Sequence, residues 1–267
     1  MARRKGPARV SQGIELPGAQ DLVLPSGRPA SLSPGSLAER LRLMRTAEVL
    51  GGRQLVQGSN GTFVIRICAP GRLRLVVYKP ARGEAPLWDF PENDLYKREE
   101  AAYALSLLFG WELVPETVVR DGPFGLGSAQ RFVPGARGVR EMQSDLLPQL
   151  MRIVAFDEIA NNADRKATHL LLDRKDHLWS IDHGLCFHQE FKLRTGIAAF
   201  SNRPLPGWLH QELAPILADP EGVERLRQTM GLRLSAEETE ACVLRGQRLL
   251  ARGRFLPFNP RRVPWGW

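Results

Sequence analysis

Asp164 and Asp182 are two carboxylates that the intervening sequence can return to one place. They lie in residues 156–187, FDEIANNADRKATHLLLDRKDHLWSIDHGLCF, which reads as a helix stopping at Asn161-Asn162 and then a polar turn carrying Asp164, Arg165, Lys166 and His169. A hairpin follows: Leu170-Leu171-Leu172, the turn Asp173-Arg174-Lys175-Asp176, and Leu178-Trp179-Ser180-Ile181, which runs directly into Asp182-His183-Gly184. A tight hairpin between them brings both acids to the same end of a small sheet. Such a pair suits phosphoryl transfer, where one carboxylate receives the acceptor's proton and the other holds Mg²⁺ on the phosphates. Aspartate is also a common turn former, and two turns flanking a hairpin would use the same residues for shape alone.

A cation for the phosphates has to come from elsewhere, and the first half of the chain offers one. Strands are predicted at 53–57, 62–69 and 73–79. The first two meet at Gly58-Ser59-Asn60-Gly61, where Asn-Gly tolerates positive φ, and the next two around Pro70-Gly71-Arg72. Backbone N–H groups of the glycine turn can lie over phosphates while Lys79, ending the third strand, reaches their oxygens as a point charge. The alternative is an ordinary meander with a solvent-facing lysine. A helix is predicted from Asn93 or Asp94 to about Phe109, closed by Gly110, with Leu95, Ala102, Leu105 and Phe109 on its apolar face. Glu99 and Glu100 sit in its middle, and either can fix a strand lysine; the alternative is a solvated pair on the polar face.

The remaining elements frame these. Ser36-Leu37-Ala38-Glu39 has capping-box spacing and opens a helix to about Leu50, with Leu37, Leu41, Met44 and Val49 near one face and Gly51-Gly52 ending it. Residues 80–92 form a loop plugged by Trp88 and Phe90, and strands 116–120 and 128–133 flank a turn opening with Asp121-Gly122-Pro123. At Pro134-Gly135 the chain passes into a helical lobe. A helix over 144–160 keeps Pro148 in its first turn and points Leu146, Leu150, Ile153 and Val154 at the core, with Phe156 and Ile159 near the same edge. Further helices are predicted at 205–217, 220–230 and 235–252, and Trp265 and Trp267 tack down a Pro-rich tail. The division is a flexible basic segment 1–35, an N-terminal nucleotide-binding lobe 36–135, a C-terminal catalytic lobe 136–255 and a tail 256–267.

With 267 residues and 43% hydrophobic content, the chain can bury one large core or two lobes sharing a cleft. Its net charge of +8 resides in the ends: Arg3, Arg4, Lys5 and Arg9 at one, Arg252, Arg254, Arg261 and Arg262 at the other, with the rest balanced. Basic tails attract polyanions loosely rather than read sequence, so no specific nucleic-acid partner is expected. Three widely spaced cysteines imply no disulfide framework. No apolar run reaches the roughly 18 residues of a membrane span, and the basic N-terminus lacks the apolar stretch of a secretory signal. A cytoplasmic monomer is the expectation.

In this order, the pieces resemble the phosphatidylinositol 3-/4-kinase-like branch of the protein-kinase-like superfamily, and within it a family of small bacterial stand-alone members. The resemblance spans roughly residues 50–255 and rests on Val76-Val77-Tyr78-Lys79-Pro80, Glu99-Glu100-Ala101-Ala102-Tyr103, Asp164-Arg165-Lys166-Ala167-Thr168-His169 and Ile181-Asp182-His183-Gly184. It implies an α+β, bilobal protein-kinase-like fold, with an antiparallel-sheet lobe bearing one or two helices and a mostly helical second lobe. It also implies an ATP-dependent kinase acting on a hydroxyl acceptor, with Mg²⁺ and possible use of Mn²⁺. Lys79 would hold the α/β-phosphates, Glu99 (or Glu100) would pair with it, and Gly58, Ser59, Asn60 and Gly61 would cover the phosphates. Gln130, Phe132 and Val133 fall in the hinge that meets the adenine. Asp164 would orient or deprotonate the acceptor, and Asp182 would bind the metal.

The chain departs from the pattern twice. His169 stands where the family has a metal-binding Asn, which favours weaker or Mn²⁺-preferring ligation because Mg²⁺ prefers oxygen. The usual Asp-Phe-Gly reads Asp182-His183-Gly184, with His183 packing in place of Phe. These departures leave a nucleotide-binding pseudokinase as the alternative. His177, His183, Cys186 and His188 are close in sequence, but their spacing fits no common zinc site. The acceptor, whether lipid, protein or metabolite, is not legible.

Overall fold

The computed structural model describes residues 36–55, 61–69, 72–87, 89–90, 94–138 and 144–264. The basic segment 1–35, Gly58, Ser59, Asn60, Trp88, Asn93, Trp265 and Trp267 lie outside the described residues. The fold is α+β and bilobal: an antiparallel sheet with helices, followed by a mostly helical half.

Helix α1 (Leu37–Thr46) starts on Ser36, whose side chain accepts from the Glu39 N–H, as the sequence spacing requires. It stops four residues earlier than expected, at the Ala47 cap, and Val49 joins a strand instead of its apolar face. Gly51-Gly52, expected to end this helix, lies inside β1 (Val49–Leu55), where the register shifts between Val49 and Gly51. The pair serves a bulge and a close strand approach: a Cβ on Gly52 would sit 2.6 Å from the Val64 carbonyl oxygen.

Strands β2 (Thr62–Ala69), β3 (Arg72–Pro80), β4 (Thr117–Gly122) and β5 (Gly125–Arg131) complete a five-stranded sheet in the order β1-β2-β3-β5-β4. Alternation divides its faces. Phe63, Ile65, Ile67, Val76, Tyr78, Val118 and Ala129 bury together with Met44 of α1. Val77 and Lys79 of β3 therefore turn the other way, beside Gln130 and Ser128 of β5. The β4–β5 turn lies later than predicted, at Pro123-Phe124, and β5 ends at Arg131, so Phe132 and Val133 fall beyond the strand.

Helix α2 (Leu95–Leu108) carries Glu99 and Glu100. Asp94 occupies the cap position without capping; the Glu84 carboxylate accepts from the Leu95 and Tyr96 N–H groups at 3.2 and 3.0 Å instead. Its apolar residues, Ala101 to Leu105, belong to the same core as the helical half, not to that of the sheet. That half comprises α3 (Leu147–Ala160), α4 (Gly207–Leu217), α5 (Pro220–Gly231) and α6 (Ala236–Arg252), the last opened by a complete Ser235/Glu238 capping box. Residues 144–146 form a separate 3-10 turn before α3, and Val154 is only half-buried. A small sheet of β6 (Arg137–Gly138), β7 (Leu170–Leu172) and β8 (Leu178–Ser180) completes the fold.

Candidate active site

The hairpin β7–β8 pairs Leu170 with Ser180, so the segments carrying Asp164 and Asp182 leave the same end of it. Helix α3 ends on Asn161, in the left-handed region at φ 55, and the chain turns through Asn162 into Asp164. The Asn162 side chain accepts from the Asp164 N–H at 2.9 Å and donates to Asp157 of α3 at 2.9 Å. Asp164 accepts from Lys166 Nζ at 2.9 Å. At the open end of the hairpin the Ile181 N–H donates to the His169 carbonyl at 3.0 Å, which seats Asp182 beside His169. The His169 Nε2 is 3.2 Å from Asp182 Oδ2.

Lys79 arrives from β3 and meets Asp182 and Glu99, while Asp164 pairs with Lys166 instead. Its ammonium donates to Glu99 Oε1 and, at 2.9 Å, to Asp182 Oδ1. Glu99 is 3% exposed and uses its other oxygen to accept from the His183 N–H at 3.1 Å. One buried carboxylate thus joins α2, β3 and the Asp182 loop. Glu100 points elsewhere, to Arg45 at 3.1 Å and Arg233 at 3.4 Å, so the lysine partner is Glu99. Gly184 lets the loop lie against α2: a Cβ there would be 3.3 Å from Leu95 Cβ and 3.9 Å from Glu99 Oε1.

The charges follow from this geometry. Burial pulls the Lys79 ammonium down, but Asp182 and Glu99 outweigh it and hold its pKa above the usual lysine range. Lys79 in turn holds the Asp182 carboxyl well below the usual range. The Asp182 side chain keeps 47% exposure, so it is charged and open to the cleft. Burial lowers the pKa of His169, whose Nδ1 has no hydrogen-bond partner among the described residues.

Asp157 goes unnamed in the sequence reading and Arg165 has no role there beyond its place in the Asp164 motif, yet the two brace the site. Arg165 is fully buried and grips Asp157 through two bonds of 2.8 and 2.9 Å. It also donates to the Ile181 carbonyl at 3.1 Å and to His183 Nε2 at 2.9 Å. His183 accordingly packs edge-on against Phe156, as a Phe would, but also accepts a hydrogen bond from a cation, and burial followed by Arg165 keeps it neutral. The sequence signal available was a pair of acids, Asp157 and Glu158, in the last turn of α3, with an arginine just beyond the helix end.

Other expected site residues are placed as follows. Gly61 donates its N–H to the Gly83 carbonyl at 2.9 Å, which clips the end of the glycine turn to the segment after β3. Gln130 is buried on the Lys79 face and donates to Thr117 Oγ1 at 2.9 Å. The Phe132 N–H donates to Leu75 O at 3.2 Å, and Val133 is buried. His177 contacts the Glu112 carbonyl and Cys186 is fully buried. Among the described residues no group of three or more His, Cys, Asp or Glu is placed to hold a metal ion. A cavity of about 290 Å³ lies apart from Lys79, between α3 and stretches 191–201 and 255–262, lined by Val154, Thr195, Phe200, Phe255 and Arg262 among others.

A lysine on an antiparallel sheet, an ion-paired helix glutamate and an aspartate after a hairpin, set on this topology, define a protein-kinase-like fold. Solved structures of other proteins share it. Hydra Fam20, determined with sugar, aligns with a TM-score of 0.57 at 14% identity over 79% of this chain and 86% of that one. The Helicobacter pylori proinflammatory kinase CtkA aligns with a TM-score of 0.50 at 11% identity over 77% of this chain and 92% of that one. At such identity the likeness is one of fold alone. No family model matches the chain. By sequence it is 34% identical to Protein Rv2133c of Mycobacterium tuberculosis, over 86% of this chain and 97% of that protein. The chain belongs to the same family as Rv2133c.

Proposed function

We propose that the protein is an ATP-dependent phosphotransferase of the phosphatidylinositol 3-/4-kinase-like type, moving the γ-phosphate to a hydroxyl acceptor. The observation that carries this reading is the convergence of Lys79, Glu99 and Asp182, drawn from β3, α2 and the loop after β8. Lys79 holds the α/β-phosphates and Glu99 holds Lys79. Asp164 receives the acceptor's proton as its oxygen bonds to the γ-phosphorus; the bridging P–O bond breaks and ADP leaves. Gly61, clipped to the segment after β3, borders the phosphates, and Gln130, Phe132 and Val133 border the adenine.

The donor set fits Mg²⁺, which needs one or two carboxylates besides phosphate oxygens and water. Asp182, charged and half-exposed, is the residue that would hold it, with His169 as a nitrogen donor suited to Mn²⁺. When bound, the metal neutralises charge on the phosphates. The closeness of His169 to Asp182 also supports a second reading, a nucleotide-binding pseudokinase. Incubation with γ-labelled ATP and either metal separates the two. Label transfer lost in Lys79→Ala, Asp164→Ala and Asp182→Ala supports the kinase. Nucleotide binding without transfer supports the pseudokinase, and undiminished transfer in Asp182→Ala removes the metal assignment.

A further inference from the structure

Residue 98, next to Glu99, is an arginine with 0% exposure. Successive helix residues point about 100° apart, so as Glu99 faces Lys79, Arg98 faces the helical half. Its guanidinium donates to the Cys186 carbonyl at 2.7 Å and to Glu238 in the first turn of α6, with Asp94 at 3.5 Å. The Phe90 ring lies 5.2 Å beneath it. Glu238 is also the capping-box residue of α6, so one carboxylate both starts that helix and receives Arg98. Burying a charged pair is costly, and an apolar side chain would fill the same space at lower cost. An apolar side chain cannot, however, fix α2 along its axis by bonding the backbone just past Asp182.

We propose that Arg98, through Cys186 and Glu238, is a positioning residue that sets the place at which Glu99 meets Lys79. This rests on the reading of Lys79 and Glu99 as the phosphate-holding pair. Three bonds then hold α2 to the segment 183–186 and to α6: Glu99 to the His183 N–H, Arg98 to the Cys186 carbonyl, and Arg98 to Glu238.

The test uses the full chain, with two readouts. One is steady-state ATP turnover; the other is the rate at which an acetylating ester labels Lys79, followed by mass spectrometry, which needs no catalysis. Arg98→Leu and Glu238→Gln are expected to speed labelling and to lower kcat roughly tenfold each, with KM for ATP changed less than about threefold. In a Glu99→Gln background, Arg98→Leu is expected to change neither readout beyond about twofold, because Arg98 acts through Glu99. Independent effects that multiply in the double variant would overturn the proposal, as would unchanged Lys79 labelling in a folded Arg98→Leu protein. If Arg98→Leu does not fold, Arg98→Lys, which lacks the planar fork, and Glu238→Gln carry the same test. A wild-type protein that transfers no phosphate refutes the kinase reading alone, because labelling still decides the positioning role.

Discussion

Asp157→Asn tests the brace between the two aspartate loops. The substitution keeps the shape of the side chain but removes the charge facing Arg165, which is fully buried and bonded to Asp157 at 2.8 and 2.9 Å. Breaking a buried pair from one side costs about 3–5 kcal/mol, because the remaining charge stays out of water. For a fold of this size, roughly 2–4 °C is lost per kcal/mol, so the melting temperature should fall by roughly 6–20 °C. Phosphoryl transfer should fall as well, since Arg165 also bonds the Ile181 carbonyl immediately before Asp182. A companion variant separates charge from packing. Asp157→Leu with Arg165→Met removes both charges and leaves the Ile181 carbonyl without its donor and the Asn162 amide without its acceptor, at about 1–3 kcal/mol each. Asp157→Leu alone shares the Asn162 loss and also strands the buried Arg165 charge, so the double variant should melt above it. Calorimetry decides: Asp157→Asn within about 2 °C of wild type, or a double variant less stable than Asp157→Leu, would refute the reasoning.

Three further outcomes are expected. Glu99→Gln should lower ATP turnover at least about tenfold, whereas Glu100→Gln, whose carboxylate serves Arg45 and Arg233, should leave it within about twofold; equal losses would contradict the pairing. His169→Asn should raise activity with Mg²⁺ relative to Mn²⁺, since an amide oxygen suits Mg²⁺ better than imidazole; an unmoved ratio removes His169 from the metal site. Burial raises the Glu116 pKa, but Arg131 and then Arg40 bring it below the ordinary 4.5. The unfolded chain therefore takes up the proton first, so this stabilisation is present above pH 4.5 and lost as pH falls below it. Melting temperatures of Glu116→Gln should accordingly vary less than wild type between about pH 4.5 and pH 3; parallel curves would assign the acid sensitivity elsewhere.

Much of this arrangement was legible because it depends on order and period. Alternation in β3 turns Lys79 away from the core of its sheet, and the β7–β8 hairpin sets Asp182 just past its end; their meeting at 2.9 Å depends on how the two halves dock. Glu99 and Glu100 differ by one helical step of about 100°, and only the docked helix shows which of them turns to the strand. Gly51-Gly52 misled because two glycines serve equally well after a helix or within a bulge. Arg98 was hidden for a different reason. An arginine in mid-helix ordinarily lies in water, and its burial depends on Glu238, a partner that joins it only through the tertiary fold.

The allegiance of α2 has a mechanical consequence. Its apolar side chains are shared with α3–α6, while Lys79 rides on the sheet. Any widening of the cleft that leaves both oily interiors intact must therefore shear the strand past the helix. The Lys79–Glu99 salt link spans that boundary, with Glu100 to Arg45 and to the Val119 N–H beside it, so its geometry is tied to the gap between the halves.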